Sequence, residues 1–319
     1  MTTAIDVADL VKTYPRRGAA PLRAVDGLTF GVASGAIFGL LGPNGAGKTT
    51  TLRILTTLAR PTSGRVRILG HDVVAAPLEV RRRRISVVIQ ETAVELFLSA
   101  RDNLLTFARF YGLDAVEAAR RADRVIEIFG LGDYVGQKVQ DLSGGFRRRV
   151  QVAKTLMVET PILFLDEFST GMDPILKRAV MELLRAEAKR GRTIVLTTQI
   201  LSEAEELCDD ILIMHHGRQV ARGDLHSLKL LSEGVYEVAL TFDRVPDGLE
   251  AELAARGALR TRISGTTVEL ALKADEQQVL ALVSELAKRG RVLRVELGGA
   301  SLEDVFVELT QAGAREVRT

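Results

Sequence analysis

The segment GLLGPNGAGKTTTLRIL, at residues 39–55, constrains the fold more than any other part of the chain. It contains the spacing Gly42-x-x-x-x-Gly47-Lys48-Thr49, preceded by the apolar run AIFGLL and followed by a helical pattern. Glycines allow successive backbone N–H groups to curl around phosphate oxygens, and the N-terminus of the following helix adds partial positive charge. A strand before the loop and a helix after it make this spacing specific. The segment therefore predicts a nucleotide phosphate site in an α/β fold.

A second motif, PILFLDEFSTGMD at residues 161–173, places two acids at the end of an apolar strand. Next to a phosphate loop of this kind, a carboxylate in the position of Asp166 belongs to the shell of a Mg²⁺ ion. A glutamate directly after it can polarise the attacking water, which assigns that role to Glu167. Lys48 is expected to contact the β- and γ-phosphates, and the Thr49 hydroxyl to reach Mg²⁺. Together the two motifs predict hydrolysis of a nucleoside triphosphate.

Between these motifs lies QDLSGGFRRRVQVAKTL, at residues 140–156, and here the chain resembles the nucleotide-binding subunits of ABC transporters. Leu142-Ser143-Gly144-Gly145 corresponds to the signature loop of that family. In the family this loop opens a helix that faces the γ-phosphate of ATP bound to the other subunit. The resemblance covers about the first 225 residues, with the motifs in the family's order. It implies the P-loop NTPase fold of an ABC ATPase, with a helical subdomain, and ATP and Mg²⁺ as ligands.

The resemblance also implies which residues form the site. Catalysis is expected from Glu167, Lys48 and Gln199. ATP is expected to stack its adenine on Tyr14 and to contact the loop residues Gly42, Pro43, Asn44, Gly45, Ala46, Gly47, Lys48, Thr49 and Thr50. Residues expected to act in trans, across the dimer interface, are Ser143, Gly144, Gly145 and Asp173. Mg²⁺ is expected to bind Thr49, Gln90 at the end of the strand ISVVIQ, and Asp166 through water.

Three positions depart from the family pattern. Phe146 stands where the signature usually has glutamine, and Phe168 stands where proline commonly follows the glutamate. Gln199, directly after the apolar run of residues 193–198, occupies the position of the family's switch histidine. A glutamine amide can hydrogen-bond a phosphate oxygen and a water molecule, but it cannot become positively charged. We therefore expect hydrolysis to persist with slower turnover or weaker coupling; a near-neutral substitution is the alternative.

The chain divides by pattern into a large and a small region. Residues 1–228 alternate strands with helices, which is typical of a mostly parallel sheet, and a helix-rich insert is predicted at about 92–155. Residues 229–319 begin a new pattern with the order βαββαβ of a ferredoxin-like unit, and a final helix follows that Ser301 is predicted to cap. The prediction is an ABC-type nucleotide-binding domain with a small C-terminal α+β domain.

Composition favours a cytosolic protein. Hydrophobic residues make up 46% of the chain and the net charge is only +2, so nothing indicates a nucleic-acid partner. The single cysteine, Cys208, excludes an intrachain disulfide and fits a reducing compartment. No run approaches the ~18 apolar residues of a membrane span, and the N-terminus has no apolar core of a secretory signal. His215 and His216 are interpreted as solvated turn residues, since no cysteine or acid cluster accompanies them.

Each chain carries one phosphate loop and one signature, so the resemblance implies two subunits that meet head to tail over ATP. A homodimer is favoured over a heterodimer. The helical insert is expected to contact a separate membrane-spanning permease, which would hold the chain on the inner face of the cell membrane. The tail SLEDVFVELT resembles exporter ATPases of the daunorubicin-resistance type, and this favours an ABC-2-type exporter of a drug, antibiotic, lipid or polysaccharide. The alternatives are a soluble ABC ATPase and a nucleotide-dependent switch with little hydrolysis.

Overall fold

A computed structural model describes most of the 319-residue chain. The described ranges are 2–82, 84–89, 93–231, 234–299 and 301–307. The chain folds into two units, Met1–Gln219 and Val220–Thr319, and the division between them falls inside a strand. In these ranges every helix is too short or too polar to cross a membrane.

The first unit begins with three consecutive strands, and strands and helices alternate after them, as the sequence pattern predicted for the whole region. The strands are β1 (Thr3–Arg16), β2 (Ala19–Ala33), β3 (Ile37–Leu41), β4 (Ser63–Ile68), β5 (His71–Asp72), β6 (Ile85–Val88), β7 (Ile162–Asp166), β8 (Thr193–Thr198), β9 (Asp210–His215) and β10 (Arg218–Gly223), which contains the division. The helices are α1 (Lys48–Leu55), α2 (Pro77–Arg81), α3 (Ala100–Phe110), α4 (Ala115–Ile128), α5 (Gly144–Leu156), α6 (Pro174–Lys189) and α7 (Leu201–Leu207), with 3₁₀ helices at Gly132–Tyr134 and Val139–Asp141.

Two sheets organise this unit. One is antiparallel, in the order β2-β1-β4-β5, and the long β1–β2 hairpin turns at Gly18 with φ of +74°. The other has the order β10-β9-β3-β8-β7-β6, and its five strands β9, β3, β8, β7 and β6 run parallel. Every residue of β3, β7 and β8 is buried, which explains why these strands are almost continuously apolar in sequence.

The parallel register brings three strand ends together. Leu41 of β3 lies beside Thr198 of β8, and Asp166 of β7 lies beside Thr197 of β8. The loop after β3, the acids at the end of β7 and the residue after β8 therefore meet at one edge of the sheet. Ligands of open α/β sheets bind at this carboxyl edge.

A helical insert follows β6, as predicted. Between residues 93 and 156 the described backbone forms helices, turns and one isolated bridge, Ser99 with Lys138, without a strand. Ser99 and Asp114 cap α3 and α4, because each side chain accepts a hydrogen bond from an N–H of the first turn. The buried faces of α3, α4 and α5 pack in one hydrophobic cluster that includes Leu104, Val125 and Val150.

The second unit has the predicted βαββαβ order. After α8 (Leu225–Leu230) its elements are β11 (Val235–Phe242), α9 (Leu249–Ala255), β12 (Arg260–Ser264), β13 (Thr267–Lys273), α10 (Glu276–Arg289) and β14 (Val292–Gly299). The strands pair antiparallel in the order β12-β13-β11-β14. Val238, Leu240 and Phe242 alternate along β11 and form a core with residues of both helices. Residues 302–307 are helical, and the Asp304 N–H donates to Ser301 Oγ at 3.3 Å, the cap that the sequence predicted.

Candidate nucleotide-binding site

The loop from β3 to α1 is closely packed, and glycine is required at two of its positions. A Cβ on Gly42 would lie 2.4 Å from the carbonyl oxygen of Met214, at the end of β9. Gly47 has φ of +104°, and a Cβ there would lie 2.3 Å from the carbonyl oxygen of Ala24 on β2. Both distances are shorter than any side chain tolerates. The loop is therefore held against two strands in one narrow shape, with α1 beginning directly at Lys48.

Lys48 places a buried cation inside this loop. Its Nζ donates to the carbonyl oxygen of Gly42 at 2.7 Å and to that of Pro43 at 3.1 Å. Burial lowers the pKa of the Lys48 ammonium, and the nearby Glu167 and Asp166 carboxylates act in the opposite direction. The ammonium is thus held at the concave side of the loop, where a phosphate group would meet it.

A cavity of about 450 Å³ opens beside the loop, a volume within the usual range for ligand sites. It is lined by Tyr14, Leu22, Arg23, Ala24, Asn44, Gly45, Ala46, Gly47, Lys48, Thr49, Thr50, Glu167 and His216. One wall comes from the β1–β2 hairpin and carries the Tyr14 ring, with Lys12 Nζ 4.9 Å from the ring centroid. Residues 44–50 of the loop line it as well. The cavity is therefore lined by both an aromatic ring and the Lys48 ammonium.

Four lining residues were not predicted from the sequence: Leu22, Arg23, Ala24 and His216. Arg23 enters the cavity from β2 and pairs with Asp26 at 2.9 Å. His216 lies in the turn between β9 and β10 with φ of +48°. Its ring therefore does not point to the opposite face from that of His215, as it would in a strand, and the two ring centroids are 4.1 Å apart. It is exposed, as a turn residue should be, but it also lines the cavity. The sequence carried no signal for this position, since the contact joins segments far apart in the chain.

The acids at the end of β7 have different environments. Asp166 is buried, and it accepts hydrogen bonds from the hydroxyls of Thr197 and, at 3.5 Å, Thr49. Glu167 lines the cavity and has φ of +47°, a left-handed conformation that is uncommon for a side chain of its size. Such backbone strain is characteristic of functional positions. Here the N–H of Glu167 itself donates to the Thr197 carbonyl oxygen at 3.1 Å, which holds the residue in place.

Arg148, on α5, hydrogen-bonds the backbone at the end of β7. Its guanidinium donates to the carbonyl oxygens of Asp166 and, at 2.8 Å, Glu167. It also donates to the carbonyl oxygen of Ile89 at 2.7 Å, which Gln151 of α5 contacts at 2.8 Å as well. The side chain is buried, and burial lowers its pKa while the two acids act in the opposite direction. One side chain thus joins α5 to the segments that follow β6 and β7.

The oxygen atoms near the loop fit a hard divalent cation. The Thr49 hydroxyl and the Asp166 carboxylate face each other at 3.5 Å, and oxygen ligands are those that Mg²⁺ prefers. Within the described ranges, no three His, Cys, Asp or Glu side chains converge to hold a metal by themselves. A Mg²⁺ ion bound through one carboxylate and substrate phosphates needs no such cluster. Gln90, the third expected ligand, lies outside the described residues.

Gln199 is exposed directly after β8 and is not among the residues that line the cavity. The strand end before it is firmly anchored by Glu203 of α7, which accepts from Thr198 Oγ1 at 2.7 Å. The same buried carboxylate accepts from the Ser169 hydroxyl and pairs with Lys177 at 2.8 Å. Glu203 therefore connects the segment after Glu167 to the end of β8, directly before Gln199, a contact that the sequence did not reveal.

The signature residues lie apart from the cavity in this chain. Ser143 and Gly144 are exposed at the start of α5, where Ser143 Oγ accepts from the Phe146 N–H at 3.4 Å. Asp173 caps α6 through the N–H groups of Ile175 and Leu176. It also pairs with Arg149 at 2.9 Å.

Gly145 is close to another segment of the chain. A Cβ on Gly145 would lie 3.0 Å from the Gly171 carbonyl oxygen. None of the four residues expected in trans lines the cavity of its own chain. Phe146 packs its ring 4.1 Å from Tyr134 and lies under the Arg149 guanidinium, so it forms part of the helical insert.

Comparison with known proteins identifies the same family as the motifs do, and the sequence relatives match along nearly the whole chain. A sequence profile of the ABC transporter family matches residues 25–170. The daunorubicin/doxorubicin resistance ATP-binding protein DrrA of Streptomyces peucetius is 40% identical over 313 residues, 97% of this chain and 93% of that protein. The Nod factor export ATP-binding protein I of Paraburkholderia xenovorans is 38% identical over 307 residues, 96% of this chain and 97% of that protein.

Solved structures agree with these sequence relatives. The dimeric ATP-binding cassette MJ0796 in a post-hydrolysis state, bound to ADP and phosphate, is 25% identical. It superimposes with a TM-score of 0.64 and covers 69% of this chain and 98% of that one. The predicted fold class and the resemblance inferred from the motifs are thereby confirmed. The chain belongs to the ABC transporter family, as one of its ATP-binding and ATP-hydrolysing subunits.

Proposed function

We propose that this chain drives an ABC-2-type exporter, as a homodimer bound to a separate permease on the cytoplasmic face of the cell membrane. One observation carries the proposal. The cavity is lined by the phosphate loop, Tyr14 and Glu167, whereas Ser143 and Gly144 lie exposed elsewhere on the same chain. A second subunit would complete the site. Relatives named for drug resistance and Nod factor export support export, with a drug, antibiotic, lipid or polysaccharide as cargo.

In the bound state, ATP would stack its adenine on Tyr14 and place its phosphates against the loop and Lys48. Mg²⁺ would be held by Thr49 and, through water, by Asp166, with Gln90 assigned by the family resemblance alone. The ion would neutralise negative charge on the β- and γ-phosphates. The backbone of the loop is held in its shape before nucleotide binds, because Gly42 and Gly47 fit closely against the neighbouring strands.

Glu167 would accept the proton of the attacking water. Glu167 lines the cavity, whereas the Asp166 carboxylate is buried and accepts hydrogen bonds from two threonine hydroxyls, so Glu167 is the acid with access to a bound water. General-base catalysis by a positioned carboxylate contributes about 10²–10⁴ to a rate. We assign the base to Glu167 for this reason.

The partner subunit would contribute the start of its α5. Ser143 and Gly144 present an exposed hydroxyl and the N-terminus of a 13-residue helix, a combination that suits the γ-phosphate of the other chain's ATP. Asp173, at the start of α6, would face the same interface. ATP would thus join two subunits, and hydrolysis would release them, which gives the two states that transport requires.

Purification from native membranes tests the exporter assignment. We expect the chain to co-purify in mild detergent with an integral membrane protein, and the complex to hydrolyse ATP only when Mg²⁺ is present. Recovery of the chain entirely in the soluble fraction, with unaltered ATPase activity, would instead identify a soluble ABC ATPase.

Arg148 is expected to position the catalytic segment. Arg148→Met removes the donors to the Ile89, Asp166 and Glu167 carbonyls, and small misplacements of reacting groups cost up to about 10²-fold in rate. We expect kcat to fall at least about 10-fold while ATP affinity stays within about twofold. Steady-state kinetics and ATP titration measure the two quantities. Arg178→Met, at an exposed position of α6, is the matched control and should leave both unchanged. A lower melting temperature with normal kcat would show a structural role only.

Gln199→His tests the residue that departs from the family. A protonated histidine would add a charge-assisted hydrogen bond to phosphate, worth about 1 kcal/mol more than a neutral one, or about fivefold in rate. We therefore expect a moderately higher ATP turnover in the variant, with Gln137→His, at an exposed position, as control. Turnover that appears only in Gln199→His would mean that the natural chain is a nucleotide-dependent switch.

A further inference from the structure

Strand β14 leaves an open edge on the sheet of the second unit. It is the last strand of the order β12-β13-β11-β14, and no described residue pairs with its outer side. Seven of its eight residues are exposed. The register places Val295 opposite Leu240 and Leu297 opposite Val238, so their side chains share the face of the hydrophobic core. They are nevertheless 44% and 48% exposed, since the core does not extend to this edge.

Apart from a register shift against β11 between Val292 and Arg294, this edge lacks the features that usually prevent strand pairing. Natural edge strands are kept short or carry lysine, proline or repelling charges. β14 has eight residues, no proline and no lysine, and its two charges, Arg294 and Glu296, form an ion pair with each other. The opposite edge, β12, has only five residues, and its Arg260 already pairs with Glu237 and, at 2.6 Å, with Glu303. Of the two edges, only β14 is built to accept another strand.

The sequence of β14 is complementary to itself. In an antiparallel pair centred on Val295, that residue would face Val295 of a second copy. Arg294 would face Glu296, and the 48% exposed Leu297 would face Leu293, which is 58% exposed and lies at the register shift against β11. When the partner is the same strand, each Arg294 therefore faces a Glu296, and the apolar side chains of one strand face those of the other. No other register of this strand with itself brings opposite charges together around an apolar centre.

We propose that β14 pairs antiparallel with β14 of a second copy of this chain, so that two four-stranded sheets become one. The contact goes beyond the ATP-closed dimer, because none of its residues lies in the nucleotide cavity and it requires no nucleotide. It would keep two subunits associated after hydrolysis has separated their ATP sites. Cross-strand apolar and charge pairs stabilise such ladders, and like charges directly opposite destabilise them.

Charge reversal provides a direct test, with the full chain free of nucleotide. We expect the wild type to sediment as a dimer. Arg294→Glu and Glu296→Arg should each weaken the dimer at least about 10-fold, because the two-fold axis turns each change into two like-charge pairs. The double variant Arg294→Glu/Glu296→Arg restores opposite charges and should restore the dimer. Arg262→Glu, on β12, is the matched control and should have no effect.

A cysteine at the centre gives a second, covalent readout. Directly opposed residues of an antiparallel pair lie about 4.5–5.5 Å apart at Cα, within reach of a disulfide. Val295→Cys should therefore form a covalent dimer under mild oxidation, while Ile263→Cys on β12 should not. The native Cys208 is largely buried, and burial raises the pKa of its thiol, so it does not compete.

Several results would overturn the proposal. A nucleotide-free wild type that is monomeric at tens of micromolar would do so, as would a double charge variant that stays monomeric. Equal cross-linking of the β12 and β14 cysteines would show random collision. ATPase assays on the same variants separate this inference from the proposed function, since β14 contributes nothing to the nucleotide cavity. Loss of the dimer with intact Mg²⁺-dependent hydrolysis is expected for the single charge variants.

Discussion

Glu167→Gln is expected to bind ATP with unchanged affinity and to hydrolyse it at least about 100-fold more slowly. The amide keeps the size of the side chain and its place in the cavity, but it cannot accept a proton from water. Single-turnover and steady-state ATPase measurements would show the loss. Because the nucleotide would no longer be consumed, we also expect an ATP-dependent dimer to accumulate. Sedimentation detects it in the Arg294→Glu background, where the nucleotide-free dimer is weakened.

Glu159→Gln is the matched control for this change. Glu159 is an exposed acid of the same unit, distant from the loop, and its contact is a surface pair with Arg121. Surface pairs of this kind contribute about 0–1 kcal/mol, so the rate should not change. A Glu167→Gln variant that keeps more than about a fifth of the wild-type rate would contradict the assignment, because general-base catalysis is worth much more. Another group would then activate the water.

Gly47→Ala is expected to abolish ATP binding at ordinary concentrations. The new Cβ would lie 2.3 Å from the Ala24 carbonyl oxygen, and φ of +104° is unfavourable for alanine. Overpacking costs about 1–3 kcal/mol and a left-handed backbone about 1–2 kcal/mol, so the loop must change shape. A distortion of that size corresponds to a loss of affinity of about 100-fold or more, which titration with a fluorescent ATP analogue measures.

Gly18→Ala separates the cost of a left-handed backbone from the cost of a Cβ contact that is too short. Gly18 has φ of +74° at the turn of the β1–β2 hairpin, and a Cβ there would meet nothing within 4 Å. We expect a loss of stability of about 1–2 kcal/mol from the backbone alone, with ATP affinity unchanged. Equal losses of affinity in both variants would show that the contact between Gly47 and Ala24 is unimportant for the site.

Local signals predicted the secondary structure around the site well. β3, β7 and β8 were evident as apolar runs because strands that are buried on both faces need no polar alternation. The βαββαβ order of the second unit followed from alternating and helical periods. The placement of Glu167 at a strand end followed from the apolar run that precedes it, since such a run stops where the chain leaves the core.

The residues that the sequence did not identify are held by contacts between distant segments. Arg148 meets Ile89 across 59 positions and Glu167 across 19. Glu203 meets Ser169 across 34 positions. His216 reaches the cavity only because β9 lies beside β3 in the sheet. Arg148 and Glu203 both lie in helices, and nothing in the neighbouring sequence of either residue indicates its distant partner.

The sequence by itself determined the chemistry of this protein: a phosphate loop, an acid pair and a signature, in the order of an ABC ATPase. These motifs can be recognised in the sequence because each depends on the backbone of its own segment. Only the tertiary structure decided how they are arranged. It brought the ends of β3, β7 and β8 to one edge, kept the signature out of its own chain's cavity and, among the described residues, left the outer edge of β14 unpaired. Strand order and exposure arise from packing between distant segments, and a linear pattern does not contain them.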